Sequence, residues 1–401
     1  MPRVAVLLPT TTYRATDFVE AARATGVDLV VVSDRRQLLA DVMGDSFLLA
    51  DLDAAESAAE AIASRGPFDA VLAPDERGVL AGALAARSLG LPHNPPASVA
   101  ATTNKVALRR ALREVVRQPR YEVVALGEDP GAVAAEIGFP VVCKPLSRSA
   151  SQGVIRADDA DGARAAERRI RSILTRCGTN PNEPILVEHF VDGPEVAVEG
   201  VLSGGVLRVL AVFDKPDPMD GPFFEETIYV TPSRLHPEVV DAVVEAAAAA
   251  CRALGLVTGP VHAELRVHDG VPVLIELAAR PIGGRCGRAL RFGLLGTSLE
   301  ALLLRAALDR PLGGLDVQGS VGALMLPIPR TGRLRAVHGI EEAAGIPHVD
   351  GVELAAPIGE RLEAPPDGDR YLGFAFASAP DPAAVEAALR AVLDTIEIDI
   401  E

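Results

Sequence analysis

The chain has 401 residues, 49% of them apolar, with a formal net charge of −16, four cysteines and no tryptophan. Its length can bury a large core and suggests two or three domains. The acidic balance opposes affinity built on neutralising phosphodiesters, and the 4% aromatic content opposes a stacking surface for single strands, so nucleic acid is not an expected partner.

No apolar run approaches the roughly 18 residues of a membrane span. The N-terminus enters Val4-Ala5-Val6-Leu7-Leu8 with no basic region or cleavage site, so a cytoplasmic protein without a membrane partner is expected. Cys143, Cys177, Cys251 and Cys286 fit no metal spacing and read as reduced thiols, mostly buried.

In chain order, the first hundred residues alternate apolar runs (Val4–Leu8, Leu29–Val32, Ala70–Ala73) with helical patterns near Asp17–Thr25, Ala54–Ser64 and Val79–Leu89. That order implies parallel strands with crossover helices. Pro9-Thr10-Thr11-Thr12 stands where a Gly-x-Gly-x-x-Gly would follow the first strand, so a dinucleotide fingerprint is missing. Pro92, Pro95 and Pro96 interrupt the chain and set a boundary near 97, after which Thr102–Arg117 reads as one basic amphipathic helix.

Next come a strand at Tyr121–Ala125, a helix around Pro130–Glu136, the strand Pro140–Lys144, a polar loop at Ser147–Gly153 and a helix over Asp161–Thr175. Ile185–Glu188, Glu195–Leu202 and Leu207–Phe213 alternate like one antiparallel sheet; Pro237–Leu254 and Leu299–Ala307 read as helices. From about residue 315 short strands, Gly/Pro turns and a late helix at Pro382–Leu393 indicate a small α+β module. The expected fold class is therefore α/β combined with α+β, divided at 1–97, 98–310 and 311–401.

The chemistry concentrates in residues 261–285, which read as a hairpin followed by Arg280-Pro-Ile-Gly-Gly-Arg285. A three-residue loop of His268, Asp269 and left-handed Gly270 brings Glu264 and Glu276 face to face, with Arg280 on the same side; a two-residue turn would put the acids on opposite faces. Two carboxylates about 5 Å apart repel each other, so they persist together only with positive charge between them, such as a divalent metal and an arginine. Upstream, Lys144 ends a strand and precedes Ser147-Arg148-Ser149-Ala150-Ser151-Gln152-Gly153, where small residues let backbone N–H groups approach phosphate oxygens. No Gly-x-x-x-x-Gly-Lys-Ser/Thr occurs. Lys105 starts a helix, Glu195 begins a strand and offers one acceptor for two ribose hydroxyls, and Glu226 is a candidate contact for a substrate amine. Arg280, Arg285 and the Gly283-Gly284 backbone are candidate donors for a tetrahedral oxyanion, the glycines permitting close approach.

In this order these pieces resemble the ATP-grasp superfamily over roughly residues 100–300. The resemblance implies a three-domain ATP-grasp fold with an N-terminal Rossmann-like domain, a nucleotide-covering part at about 118–192 and a small C-terminal domain. It implies that Lys105 and Lys144 touch the phosphates of ATP, under a loop that includes Ser151 and Gly153. Backbone groups of Glu188 and Val191 would meet the adenine edge beside Phe190, and Glu195 the ribose. Glu264 and Glu276 would hold Mg2+, or Mn2+, and Arg280 would contact the phosphate or acyl phosphate. One departure stands out: many members carry Glu-x-Asn where this chain has Glu276-Leu277-Ala278, which removes one oxygen ligand.

Glu-x-Ala-Ala-Arg-x-x-Gly-Gly at 276–284 and the C-terminal module most resemble the L-amino-acid ligases. The implied reaction joins a small carboxylate, an amino acid, to an amine through an acyl phosphate, with small molecules as partners and a homodimer usual for such relatives. Two other readings remain open at this stage: a ligase for a non-amino-acid carboxylate or purine intermediate, and a nucleotide-binding regulator that has lost its metal site at Ala278.

Overall fold

The computed structural model describes residues 1–36, 43–293 and 296–401. At the N-terminus, β1 (Arg3–Leu7), β2 (Asp28–Ser33), β3 (Phe47–Leu49) and β4 (Ala70–Leu72) form an all-parallel sheet in the order β3-β2-β1-β4. Strand alternation explains why these runs are apolar throughout. Val4 and Val6 pack with Phe18 and Ala21 on one side, while Ala5 and Leu7 meet Ile62 and Ala81 on the other, so both faces are covered by helices.

A second, antiparallel sheet contains β5 (Tyr121–Val124), β6 (Val141–Pro145), β7 (Ile155–Ala157) and β8 (Ile185–His189), in the order β5-β8-β6-β7. Helices Pro130–Ile137 and Ala160–Arg176 cover it, each begun by an aspartate whose side chain accepts a backbone N–H of the first turn: Asp129 from Gly131, Asp159 from Gly162.

The third sheet has eight strands. Its first part contains β9 (Glu195–Ser203), β10 (Val206–Lys215), β11 (Ile228–Thr231), β12 (Gly259–His268) and β13 (Val271–Ala278). From edge to edge the order is β13-β12-β9-β10-β11, then Ser320–Leu326, Gly373–Ala379 and Val349–Leu354. Residues on either side of 310 thus share one continuous sheet. Helix Pro237–Leu254 covers the β9–β12–β13 region, and helix Pro382–Thr395 covers the C-terminal strands.

Three expectations are corrected here. The stretch at 102–117 is not one helix but the end of Pro96–Thr102 and a second helix, Lys105–Ala111. Asn104 is extended and its side chain accepts the Ala107 N–H, so it starts a new helix rather than continuing the old one; beyond Ala111, Glu114 adopts a left-handed φ of 64°. The three runs read as one sheet belong to two: β8 lies in the smaller sheet, β9 and β10 in the larger.

The hairpin turn is also two residues long, Asp269 and Gly270, both with positive φ, and not three. A regular ladder from that turn would set Glu264 opposite Ile275. Instead the register shifts between Glu264 and Leu265: Leu265 faces Leu274, Glu264 faces Glu276, and Ile275 is the extra residue of a β-bulge. The acids face each other because of the bulge.

Between β8 and β9 the chain turns at Gly193, whose φ is +100° and where a Cβ would lie 2.1 Å from the Val267 carbonyl oxygen. Gly204 is also left-handed, at +58°, but meets nothing within 4 Å. Gly204→Ala is expected to cost about 1 kcal/mol of stability from backbone strain alone. Gly193→Ala should cost clearly more, because the backbone must also move, as measured by urea midpoints of the two variants against wild type.

Candidate active site

Residues of both antiparallel sheets line a common cleft. On the side of the smaller sheet it takes Lys144 from β6, Glu188 from β8, Phe190 and Val191 from the linker, and Ser151 from the loop. On the other side it takes Glu195 from β9, Glu264 from β12 and Glu276 from β13, with Glu226 and Lys105 completing the wall. Ten of the residues singled out in the sequence therefore meet in one place.

The acids are held together by a cation the sequence reading overlooked. Lys215, at the end of β10 and 5% exposed, donates from Nζ to Glu195 Oε1 at 2.7 Å, Glu226 Oε1 at 2.7 Å and Glu264 Oε1 at 2.9 Å. Burial opposes its charge, yet the three carboxylates outweigh that cost and raise its pKa well above the ordinary lysine value. Burial likewise pushes Glu264 upward, but Lys215 and a hydrogen bond from His262 prevail and hold it down at about 2. His262 lies between Glu199 and Glu264, whose hydrogen bonds overcome burial and lift it to about 9. Glu276 is lowered against its burial by Lys105, Arg280, Lys144 and Arg109.

At the other end of the cleft Glu188 is 1% exposed and takes Arg109 Nε at 2.6 Å and Lys144 Nζ at 2.6 Å. Arg109 also donates to the carbonyl of Ile275 at 2.6 Å, so the bulge residue and the floor of the cleft are fixed by one buried guanidinium. The Glu188 backbone lies within the ladder between β5 and β6. The Val191 carbonyl accepts Arg266 Nη1 at 2.8 Å. Arg266, a second overlooked cation, also holds Glu195 Oε2 at 2.9 Å and stacks 5.0 Å from the Phe190 ring and 6.0 Å from Phe224. Both cations carried a usable signal. Lys215-Pro216 ends a strand as Lys144-Pro145 does, and Arg266 shares the face of Glu264 by strand alternation.

The remaining predicted residues lie outside the cleft lining. Arg280 donates from Nε to Glu76 Oε2 at 2.7 Å, an acid of the N-terminal sheet region that sequence reasoning did not single out. Arg285 pairs with Glu353 and donates to the Tyr13 carbonyl at 3.2 Å; Gly284 is left-handed, φ +58°, and a Cβ there would lie 2.8 Å from Phe374, while Gly283 has open space. Glu226 receives the Tyr371 hydroxyl on its second oxygen at 3.2 Å. In the loop, the Gly153 N–H is bonded to the Pro366 carbonyl at 2.8 Å, Gln152 Nε2 to the Asp367 carbonyl at 2.6 Å, and Arg148 pairs with Asp369 at 3.0 Å. Arg169 and Arg176 of helix Ala160–Arg176 clasp the Asp367 carboxylate. The loop is thereby strapped to the C-terminal module.

The donor set suits a hard divalent cation. Glu264 Oε2 and both oxygens of Glu276 accept no hydrogen bond from the protein among the described residues, while the cluster of Glu195, Glu226 and Glu264, whose oxygens lie within 4.8 Å of one another, already encloses the Lys215 ammonium. Free carboxylate oxygens on facing strands are what magnesium takes, with waters completing its shell. Ala278, where the resemblance led to an asparagine, is 2% exposed and stands opposite His262, so no oxygen is offered there.

Comparison with known families and proteins fits this geometry. Residues 19–93 match the ATP-grasp N-terminal domain, 137–289 the ATP-grasp domain and 324–401 the L-amino acid ligase C-terminal domain 2. An uncharacterized protein of Sinorhizobium fredii is 28% identical over 329 residues, 78% of this chain and 64% of its own. The D-alanine–D-alanine ligase of Cupriavidus necator is 29% identical over 241 residues (58% of this chain, 67% of its own), and the alanine–anticapsin ligase of Bacillus subtilis 29% over 270 (62% and 57%). The chain thus spans about two thirds or less of the length of these relatives. The crystal structure of L-amino acid ligase from Bacillus licheniformis superposes with a TM-score of 0.80 at 25% identity, covering 100% of this chain and 99% of that one. N5-carboxyaminoimidazole ribonucleotide synthetase from Thermotoga maritima shares the fold, with a TM-score of 0.74, 17% identity and full coverage of both chains.

The Glu188 carboxyl illustrates how the site should respond to acid. Burial favours its neutral form, but Arg109 and Lys144 depress it from 4.5 to about 2. Its stabilisation is therefore fully present above about pH 4.5 and lost as pH falls through about 2. In Glu188→Gln, the slope of unfolding free energy against pH between those limits should shrink by nearly one proton relative to wild type, read from urea unfolding across that range.

Proposed function

We propose that this chain, whose residues 137–289 match the ATP-grasp domain, is an ATP-dependent ligase that forms an amide, a peptide bond, between two amino acids. The observation that supports this most directly is Glu264 facing Glu276 on neighbouring strands in one wall of the cleft, with three free carboxylate oxygens in a lining that also holds Lys105 and Lys144. The carboxylate oxygen of the first substrate attacks the γ-phosphorus of ATP; its bond to the bridging oxygen breaks, giving an acyl phosphate and ADP. The second substrate's amine then attacks the acyl carbon, phosphate leaves, and the nitrogen loses a proton.

Phosphoryl transfer spreads negative charge over equatorial oxygens, so the demand on the protein is positioning and positive charge. Lys105 and Lys144 supply that charge from the cleft wall, under the loop containing Ser151 and Gly153. Phe190, packed by Arg266, forms one side of a slot for the adenine, with backbone at Glu188 of β8 and at Val191 of the linker assigned to its edge and Glu195 to the ribose. A magnesium ion, or manganese, held by Glu264 and Glu276 would screen the phosphates and orient them. Arg280, Arg285 and the Gly283-Gly284 backbone are assigned to the acyl phosphate and oxyanion, and Glu226 to the amine. The parts 1–97, 98–310, with a nucleotide-covering portion at about 118–192, and 311–401 are taken as its domains. The reading extends to a cytoplasmic homodimer acting on free small molecules. Among the described residues, no helix is long and apolar enough to cross a membrane.

Phosphate release screened over pairs of amino acids with ATP and Mg2+, with products identified by mass, should reveal a dipeptide. Glu276→Gln should lower kcat by about 10²–10³. ATP binding by calorimetry without ADP formation across the whole panel would instead identify a nucleotide-binding protein with no ligase activity.

A further inference from the structure

The cleft continues into a smaller pocket, bordered by Lys105, Arg148, Ser149, Ile275 and Glu276 in common with it and closed by Glu76, Thr103 and Arg109. The pocket opens where Glu276 and Lys105 stand and extends to an acid brought by the N-terminal part of the chain, just after β4.

Its lining carries both signs of charge. Lys105 and Arg109 provide cations, and Arg109 Nη1 is buried without a hydrogen-bond partner. Glu76 provides an acid that stands apart from the Lys215 cluster. Its Oε2 accepts Arg280 at 2.7 Å, while Oε1 receives no protein donor among the described residues. A free carboxylate oxygen and cations lining one small pocket match a zwitterion, in which ammonium and carboxylate are two bonds apart. A plain carboxylic acid would satisfy the cations and leave Glu76 Oε1 unused.

We propose that this pocket receives the acid substrate as a zwitterionic α-amino acid and that Glu76 accepts its ammonium group, making Glu76 the residue that selects an amino acid over a simple carboxylate. This rests on the ligase reading above. Arg280 and Glu76 then act as a matched pair: the guanidinium faces the carboxylate and the phosphate developing on it, and the carboxylate faces the ammonium beside it. A charge-assisted hydrogen bond of this kind corresponds to roughly 10–100-fold in binding.

The test compares alanine with propanoate as acid substrate, since propanoate has no amine and can serve only as the acid, with a saturating second amino acid as nucleophile. Wild type should prefer alanine by at least about 100-fold in kcat/KM, and Glu76→Gln should narrow that ratio by about 10–100-fold while the KM for ATP moves less than about twofold. Glu76→Asp, which keeps the charge on a shorter arm, should restore part of the preference. If Glu76→Gln slows both acids equally, Glu76 only orients Arg280 and the inference is overturned; so too if wild type accepts propanoate as readily as alanine. Failure of wild type to release phosphate with any amino acid would remove the ligase reading itself, a result separate from either of these.

Discussion

The Lys215 ammonium lets the acids of this cleft share a site. Glu195, Glu226 and Glu264 arrive from β9, the segment after β10, and β12, and each would repel the others in a buried setting without a common cation. Because the lysine is itself buried, its charge is little screened and acts on all three at short range. Glu195 and Glu264 are thus held in their charged form, while Glu276 and the second oxygen of Glu264 stand in the cleft wall without a protein donor among the described residues. Arg266 and Arg109 repeat the device at Glu195 and Glu188.

The cleft is a joint product of the whole chain. Arg14, 2% exposed, reaches from the N-terminal part to the Ile282 carbonyl and Glu300, and so fixes the segment that follows the hairpin. From the other side Glu353 takes both Arg285 and Arg288, and Tyr371 reaches Glu226. One continuous sheet runs from β13 to Val349–Leu354 and so joins the strands that carry Glu264 and Glu276 to the strand that carries Glu353.

Much of this was legible in the residues. Apolar runs located most strands and helices, and the hairpin acids, Lys105, Lys144, Glu188 and Glu195 were identified and do meet in one cleft. What escaped has physical causes. The bulge at Ile275 is secured by a carbonyl bond to Arg109, 166 positions away, and local periodicity carries no trace of such a partner. Asn104 divided a helix whose amphipathic pattern ran through it, since capping is decided by one side chain and not by an average. Arg280 and Arg285 pair with Glu76 and Glu353, which lie in distant parts of the chain and leave no local trace beside either arginine. Lys215 was within reach of the same reasoning that found Lys144.

The strap between the 147–153 loop and residues 366–369 has a mechanical corollary. Any outward swing of that loop must either break its bonds to Pro366, Asp367 and Asp369 or drag their backbone along, and Arg169 and Arg176 tie the adjoining helix to the same anchor. Displacing the loop intact would thus carry residues 366–369 with it, and holding those residues still would cost the loop its anchors.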